Sequence, residues 1–465
     1  MADAPTAAVV AALRADLLSA MGTAGLLEPE DFETRSCDPF RPVPILSPFV
    51  ARPANAQELS AVVKAAIAHG FRIVTHGGRT GVAGGAFTRP DSIVVSLERM
   101  NRIEEISDVD QIAVVQAGVP IQALHEAVEA KGLFYPVDLG AKGSATMGGT
   151  IATNAGGNHV LRWGMTRANL LGIEGVLADG TIVSSMNRLL KNNTGYDLKH
   201  LFAGTEGTIG IVTRAVVRLV PLPTTQSVAF VAVESMAKVL RLLNLARAMP
   251  ALSAFEVMWR DYYEMVANSG TGRRPLEPGH DYHVLIESLG NDPEADEGAF
   301  ERFVQRASDE GLIADGVVAA SERQRRELWH VREASEVFVS EFGTFVSFDV
   351  SAELNAIERM VEEAYAALRA RFPEVRGGTF GHLGDNNIHL GITIGEDTVA
   401  RTAEIEEIVF DVLARYQGAL TAEHGIGTLK RDFLRKYKSE GELAAMRRLR
   451  DAFDPDRRLN PDVML

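Results

Sequence analysis

Thr75-His76-Gly77-Gly78-Arg79-Thr80-Gly81-Val82-Ala83-Gly84-Gly85 follows directly on the apolar run Arg72 to Thr75 and places five glycines within nine positions. Glycine accepts backbone angles closed to other residues, so such a block can turn sharply and expose consecutive N–H groups as a nest for an anion such as pyrophosphate. The pattern is neither G-x-G-x-x-G nor a P-loop, because no Gly-Lys-Ser/Thr follows. Taken alone, it is equally well a tight glycine-rich turn.

Two further blocks weigh against a mere turn. Pro136-Val137-Asp138-Leu139-Gly140-Ala141-Lys142-Gly143-Ser144-Ala145-Thr146-Met147-Gly148-Gly149-Thr150-Ile151-Ala152-Thr153-Asn154-Ala155-Gly156-Gly157 is a long run of small, hydroxyl-bearing residues, suited to a groove where a flat polar cofactor meets backbone. Asn193-Thr194-Gly195-Tyr196-Asp197-Leu198 is followed by Gly204-Thr205-Glu206-Gly207-Thr208-Ile209-Gly210-Ile211-Val212. Packing by itself does not require so many glycines in three blocks.

In order, spacing and residue identity over roughly residues 43–221, these blocks resemble the FAD-binding domain of the vanillyl-alcohol oxidase / p-cresol methylhydroxylase (PCMH) superfamily. The resemblance implies that Gly77 to Gly81 cradle the FAD pyrophosphate. Ser144, Gly148, Thr150, Thr153, Asn154 and Gly157 would line the adenosine diphosphate and isoalloxazine, and Glu206, Gly207 and Ile211 the adenine end. The same correspondence takes in His76, Arg79, Thr80, Gly84 and Gly85, then Pro136, Asp138, Gly143, Met147 and Gly156, and finally Asn460. Members with covalent flavin usually carry histidine after the glycine pair. Here Arg79 follows and His76 precedes, so FAD is expected to be non-covalent.

The 465 residues are 46% hydrophobic and 23% charged, a globular composition expected to make two or three domains. A formal net charge of −15 disfavours nucleic acid and anionic membrane as general partners. The single cysteine, Cys37, rules out an intramolecular disulfide and a cysteine metal cluster, and suits the cytoplasm. No signal or transit peptide is read at the amino terminus, where Asp3 and Asp16 interrupt the alanines, and no apolar run is long enough for a membrane span.

The expected fold class is α+β. Residues 1–42 form a helical segment, 43–223 a two-subdomain PCMH-type FAD-binding domain, and 224–420 a substrate and metal domain. The last domain is read as an antiparallel, ferredoxin-like sheet with helices, among them one long charged helix from Glu322 to Phe342. Residues 421–465 form a carboxy-terminal segment returning to the flavin. The boundary between 223 and 224 rests on the proline pair of Pro221-Leu222-Pro223.

Gly381-His382-Leu383-Gly384-Asp385-Asn386-Asn387-Ile388-His389 sets two histidines seven residues apart across a turn, and Glu423-His424 follows among small residues. Two imidazoles and a carboxylate make an open three-ligand site for Zn²⁺ or Mn²⁺, which leaves His424 as a base. A lone histidine is more often structural; it is the grouping that carries this reading.

This part resembles the FAD-dependent D-2-hydroxy-acid dehydrogenases, the group of D-2-hydroxyglutarate dehydrogenase, D-lactate dehydrogenase and the glycolate oxidase flavin subunit. The likeness extends from about 43 to 465. It implies that His382, His389 and Glu423 are metal ligands, that His424 takes the hydroxyl proton, and that Arg332 binds the substrate carboxylate. Electrons would pass to a non-NAD acceptor such as a flavoprotein, quinone or cytochrome. A homodimer is among the assemblies the resemblance allows.

The substrate half departs from the hydroxyglutarate branch. Glu336 stands where that branch has threonine, Ser347 where it has lysine, and Gly391 where it has asparagine. Losing a cation and gaining an acid disfavours a second carboxylate, since an unpaired buried carboxylate costs several kcal/mol. A lactate-like or other monocarboxylic 2-hydroxy acid is therefore expected, with Glu336 facing solvent as the alternative reading of that position. The rivals are D-2-hydroxyglutarate dehydrogenation or transhydrogenation, an O₂-using oxidase, and a non-catalytic flavin-binding subunit.

Overall fold

A computed structural model describes residues 5–270 and 274–465, so Asp3 lies outside the described residues. The chain forms two compact units. One comprises Met1–Gly157, Trp163–Pro221 and Glu423–Leu465; the other comprises Asn158–Arg162 and Leu222–Ala422.

In the first unit, helix Ala56–Ala68 begins where the Asn55 side chain accepts the Glu58 N–H at 2.8 Å, and it buries Leu59, Val62, Val63 and Ala66 at helical spacing. It leads into strand Arg72–His76, which lies parallel to Ser92–Ser96; Val50–Ala51 flanks the latter, also parallel, and Leu26–Leu27 pairs antiparallel at the edge. An antiparallel sheet orders Ile103–Ser107, Ile112–Gln116, Ile211–Arg218, Leu170–Val176 and Ile182–Ser185. The amino-terminal segment is more than helices ahead of the core. Helix Ala7–Met21 buries Leu13, Leu17 and Met21, four residues apart, within the main apolar cluster, and strand Leu26–Leu27 joins the sheet.

The segment from Glu423 onward is tied into this first unit by polar clamps. The Glu206 carboxylate accepts the Ile426 and Gly427 N–H groups, each at 2.8 Å. Asn460 accepts the Thr75 N–H at 3.0 Å and donates to Glu206 O at 2.6 Å. Burial pushes the Glu206 carboxyl up, and the two N–H groups only partly oppose this.

The second unit is built on a seven-stranded sheet in the order Asp315–Val318, Thr225–Val233, Tyr282–Gly290, Leu252–Trp259, Arg376–Gly381, Asn387–Thr393, Val346–Ser351, antiparallel at every pairing. Segment Asn158–Arg162 is held in this unit. His159 pairs with Glu287 at 3.3 Å, and Arg162 Nη1 donates to Ala251 O at 2.9 Å.

The long helix expected from Glu322 to Phe342 is two helices, Glu322–Glu333 and Val337–Phe342. The reason is tertiary. Tyr262 Oη donates to Arg332 O at 3.0 Å, taking the carbonyl that a continuous helix would offer to Glu336 N–H. Arg332 is thereby left in the last turn of the first helix, buried.

Two stability effects follow. Replacing Glu206 by alanine removes a charged acceptor from two buried N–H groups, so unfolding should be eased by about 2–3 kcal/mol. Denaturant midpoints should fall and proteolysis should open at residues 423–465; an unchanged cleavage pattern would refute the clamp. His76 is buried, its Nε2 2.8 Å from Ala86 O, and burial lowers its imidazole to about 4, partly offset by that hydrogen bond. An unfolded histidine titrates near 6.5, so between these values the unfolded chain holds more protons, and the stability present above pH 6.5 is lost as pH falls toward 4. Relative to the wild type, His76→Gln should lose up to roughly 3 kcal/mol less over that interval. Parallel stability curves for the two proteins would contradict this.

Candidate functional site

On the second unit, residues from five strands and helices converge through register. Asp349 pairs with His389, His389 with Phe380, and Phe380 with Met258, so one cross-strand row carries all four side chains on one face. Glu256 lies two residues before Met258 on the same face, and His382 two residues beyond Phe380. The Glu256 carboxylate receives Arg332 Nε at 2.7 Å and lies 2.9 and 3.0 Å from His382 Nδ1. Arg332 Nη2 is 3.3 Å from His382 Nε2 and 3.5 Å from Nδ1, and the guanidinium lies 4.7 Å over Phe380. The His382 and His389 rings are 5.4 Å apart, and His389 Nδ1 is 3.8 Å from Asp349 Oδ1.

Burial alone would raise the Glu256 carboxyl, but His382 and then Arg332 outweigh it and hold it below the usual range, hence ionised. Asp349 also accepts Thr421 Oγ1 at 2.9 Å and Ala422 N–H at 3.2 Å, anchoring the chain immediately before Glu423. Neither acid was singled out from the sequence. The available signal was a lone acid inside an apolar strand, Ala254-Phe255-Glu256-Val257-Met258, since acids are seldom buried unpaired.

The departures from the hydroxyglutarate pattern also share a row. Ser347 pairs with Gly391, and Gly391 with Gly378. This row carries almost no side-chain bulk, and Phe338 fills the space. A Cβ on Gly391 would stand 2.9 Å from the Phe338 ring, and one on Gly378 2.6 Å from it. Phe338 in turn packs against Tyr262, Phe342, Phe345 and Phe380. Ser347 and Glu336 are exposed; Glu336 stands at the break between the two helices.

Every cofactor candidate falls in the first unit. The glycines there play two parts. A Cβ on Gly78 would collide with Ser144 O, so Gly78 lets the first block lie directly on the second, whereas Gly81, Gly140 and Gly143 have open space where a side chain would stand. Thr146 Oγ1, on the second block and facing Gly77 of the first, is buried with no hydrogen-bond partner among the described residues. Several candidate side chains are engaged locally. Thr150 and Thr153 donate to Met147 O and Gly149 O, Asn154 accepts the Arg167 N–H, Asp138 pairs with Lys142, and Glu206 and Asn460 form the clamps described above. Met147, Gly148 and Ile211 are buried, while Thr80 and Gly85 are partly exposed. Glu423 and His424 open the third segment of this unit.

Comparison with known proteins agrees with this architecture. Residues 222–464 match the family model "FAD linked oxidases, C-terminal domain", and residues 47–185 match "FAD binding domain". The chain is 36% identical over 417 residues to the D-2-hydroxyglutarate dehydrogenase of Xanthomonas citri pv. viticola, covering 89% of this chain and 88% of that protein. It is 37% identical over 442 residues to the mitochondrial D-2-hydroxyglutarate dehydrogenase of Bos taurus, covering 95% and 81%. A Schizosaccharomyces pombe protein named as a candidate mitochondrial D-lactate dehydrogenase is 34% identical over 416 residues, covering 87% and 79%. Among solved structures, substrate-bound p-cresol methylhydroxylase superposes with a TM-score of 0.80 at 14% identity over 99% of this chain and 97% of that one, a likeness of fold. Among the described residues no helix is long and apolar enough to cross a membrane. With FAD-linked oxidase domains over most of its length and dehydrogenase relatives above 30% identity, the chain is an oxidoreductase and belongs to the FAD-dependent D-2-hydroxy-acid dehydrogenase family.

Proposed function

We propose that this enzyme oxidises a D-2-hydroxy acid with a short uncharged tail to the 2-oxo acid, using non-covalent FAD and one divalent metal ion, Zn²⁺ or Mn²⁺. The observation that carries the reading is the grouping of Arg332, His382 and His389 with the buried carboxylates Glu256 and Asp349. A metal-ligating imidazole commonly has a carboxylate at its other ring nitrogen, and this donor set has that form. Open space at Gly81, Gly140 and Gly143 beside the unpartnered Thr146 hydroxyl fits a bound cofactor.

Bound FAD would take the Cα hydrogen as hydride, and a divalent ion would acidify the substrate hydroxyl. The chain's own residues do the rest. His382 and His389 would hold the ion, with Glu423 as the third ligand. Arg332, whose Nε is engaged by Glu256 and whose Nη2 lies 3.3 Å from His382 Nε2, would turn its Nη1 to the substrate carboxylate. His424 accepts the hydroxyl proton. Reduced cofactor would be reoxidised by a flavoprotein, quinone or cytochrome. A cytosolic site of action is part of this reading, although the bovine relative is named mitochondrial.

The uncharged tail is favoured by the row Ser347–Gly391–Gly378, which bears no cation and whose two glycines lie against the Phe338 ring while Ser347 is exposed. The second reading is D-2-hydroxyglutarate, favoured by the names of two relatives. Anaerobic bleaching of the bound flavin by a panel of D- and L-2-hydroxy acids separates them. D-Lactate-like acids should exceed D-2-hydroxyglutarate by at least roughly tenfold in kcat/KM, about 1.4 kcal/mol; the reverse order would establish the second reading, and preference for L-acids would sink both. His424→Ala should slow flavin reduction by on the order of 10²- to 10⁴-fold, and unchanged bleaching would remove His424 from the role of base. Chelation should abolish turnover, and Zn²⁺ or Mn²⁺ should restore it.

A further inference from the structure

We propose that Glu256 is the positioning residue that couples the substrate-carboxylate arginine to the metal-facing histidine: one buried carboxylate sets both Arg332 and His382. The proposal rests on the reading of Arg332 and His382 given above.

The geometry is specific. The Glu256 side chain is 2% exposed, and those of Arg332 and His382 are 6% and 10% exposed, so the three groups meet with little water to relay or screen them. Arg332 Nε meets Oε2 at 2.7 Å, and His382 Nδ1 lies between the two oxygens, 2.9 Å from Oε2 and 3.0 Å from Oε1. A carboxylate has acceptors only, so it takes a proton-bearing Nδ1, an arrangement that in the neutral ring puts the lone pair on Nε2. The same carboxylate fixes the guanidinium through Nε, with Nη2 3.3 Å from His382 Nε2. Arg332 comes from the last turn of helix Glu322–Glu333, and His382 follows strand Arg376–Gly381. Glu256 thus joins an element that would hold the substrate carboxylate to one that would hold the ion.

Asp349 provides the internal contrast. It lies 3.8 Å from His389 Nδ1 and accepts from Thr421 Oγ1 and the Ala422 N–H. The two acids should therefore separate by readout. A glutamine at 256 offers one acceptor where two donors now meet. Either Arg332 Nε loses its partner or the amide NH₂ faces Nδ1, which forces the proton onto Nε2.

The test uses the full-length FAD-loaded enzyme, with Zn²⁺ affinity measured by chelator competition and KM and kcat for the best acid of the panel measured at saturating Zn²⁺. Glu256→Gln should weaken Zn²⁺ binding roughly 10- to 100-fold, as loss of an outer carboxylate does, and should also raise KM at saturating Zn²⁺ by about tenfold or more while kcat changes less. Asp349→Asn should weaken Zn²⁺ binding and leave that KM near the wild-type value. Should Glu256→Gln not fold, Glu256→Asp, which keeps the charge on a side chain one methylene shorter, should lie between wild type and the glutamine expectation in both readouts. Wild-type Zn²⁺ affinity and KM in the folded Glu256 variants would overturn the proposal, as would a loss of thermal stability alone. His389→Ala keeps the two failures apart. Lost Zn²⁺ binding there with wild-type behaviour at position 256 rejects only the coupling. Undiminished Zn²⁺ binding in His389→Ala rejects the metal reading itself.

Discussion

A carboxylate withdrawn from water must be met by donors, and much of this molecule is arranged around that demand. Glu206, Glu256, Glu287 and Asp349 are all buried, and each organises a segment remote in sequence. Glu206 gathers the N–H groups of Ile426 and Gly427 and so fastens the carboxy-terminal stretch into the first unit. Glu287 collects His159, Gln226, Ser253 and Trp329, which holds segment Asn158–Arg162 in the second. Glu256 and Asp349 do the same for the histidine cluster. A chain with a net charge of −15 has ample acids to expose, so the few it buries stand out physically.

The glycines answer a different constraint, that of close approach. In the first unit Gly78 brings one block against another, and other glycines of the same blocks leave space open. In the second unit Gly378 and Gly391 clear a row for Phe338 beside the row that carries Asp349 and His389. Ser347 and Gly391 are therefore parts of one rearrangement rather than separate losses: a stretch of sheet with no cationic or amide side chain, packed under an aromatic ring.

Positive charge is correspondingly local. Arg332 is balanced by Glu256 before any substrate arrives, so attraction for an anionic acid at this cluster would depend heavily on a bound divalent ion.

The glycine blocks and the histidine spacing were legible in the sequence because each is local: turn chemistry and motif order are written along the chain, and with the family resemblance, which alone supplied Arg332, they pointed to the flavin fold, the family and the expected donor set. The strands Ser92–Ser96 and Ile112–Gln116 were readable for the same reason, by apolar runs between turn residues. Only the tertiary structure decided that the helix from Glu322 ends at Glu333, because Tyr262, which takes the Arg332 carbonyl, lies 70 residues from it in sequence. Only strand order could bring Glu256 to His382, 126 residues distant, and to Arg332, 76 residues distant. It was register, too, that aligned Ser347 with Gly391 and Gly378 under Phe338. Local pattern specifies which groups are available; hydrogen bonding across a sheet, acting between positions the chain does not place side by side, determines which of them meet.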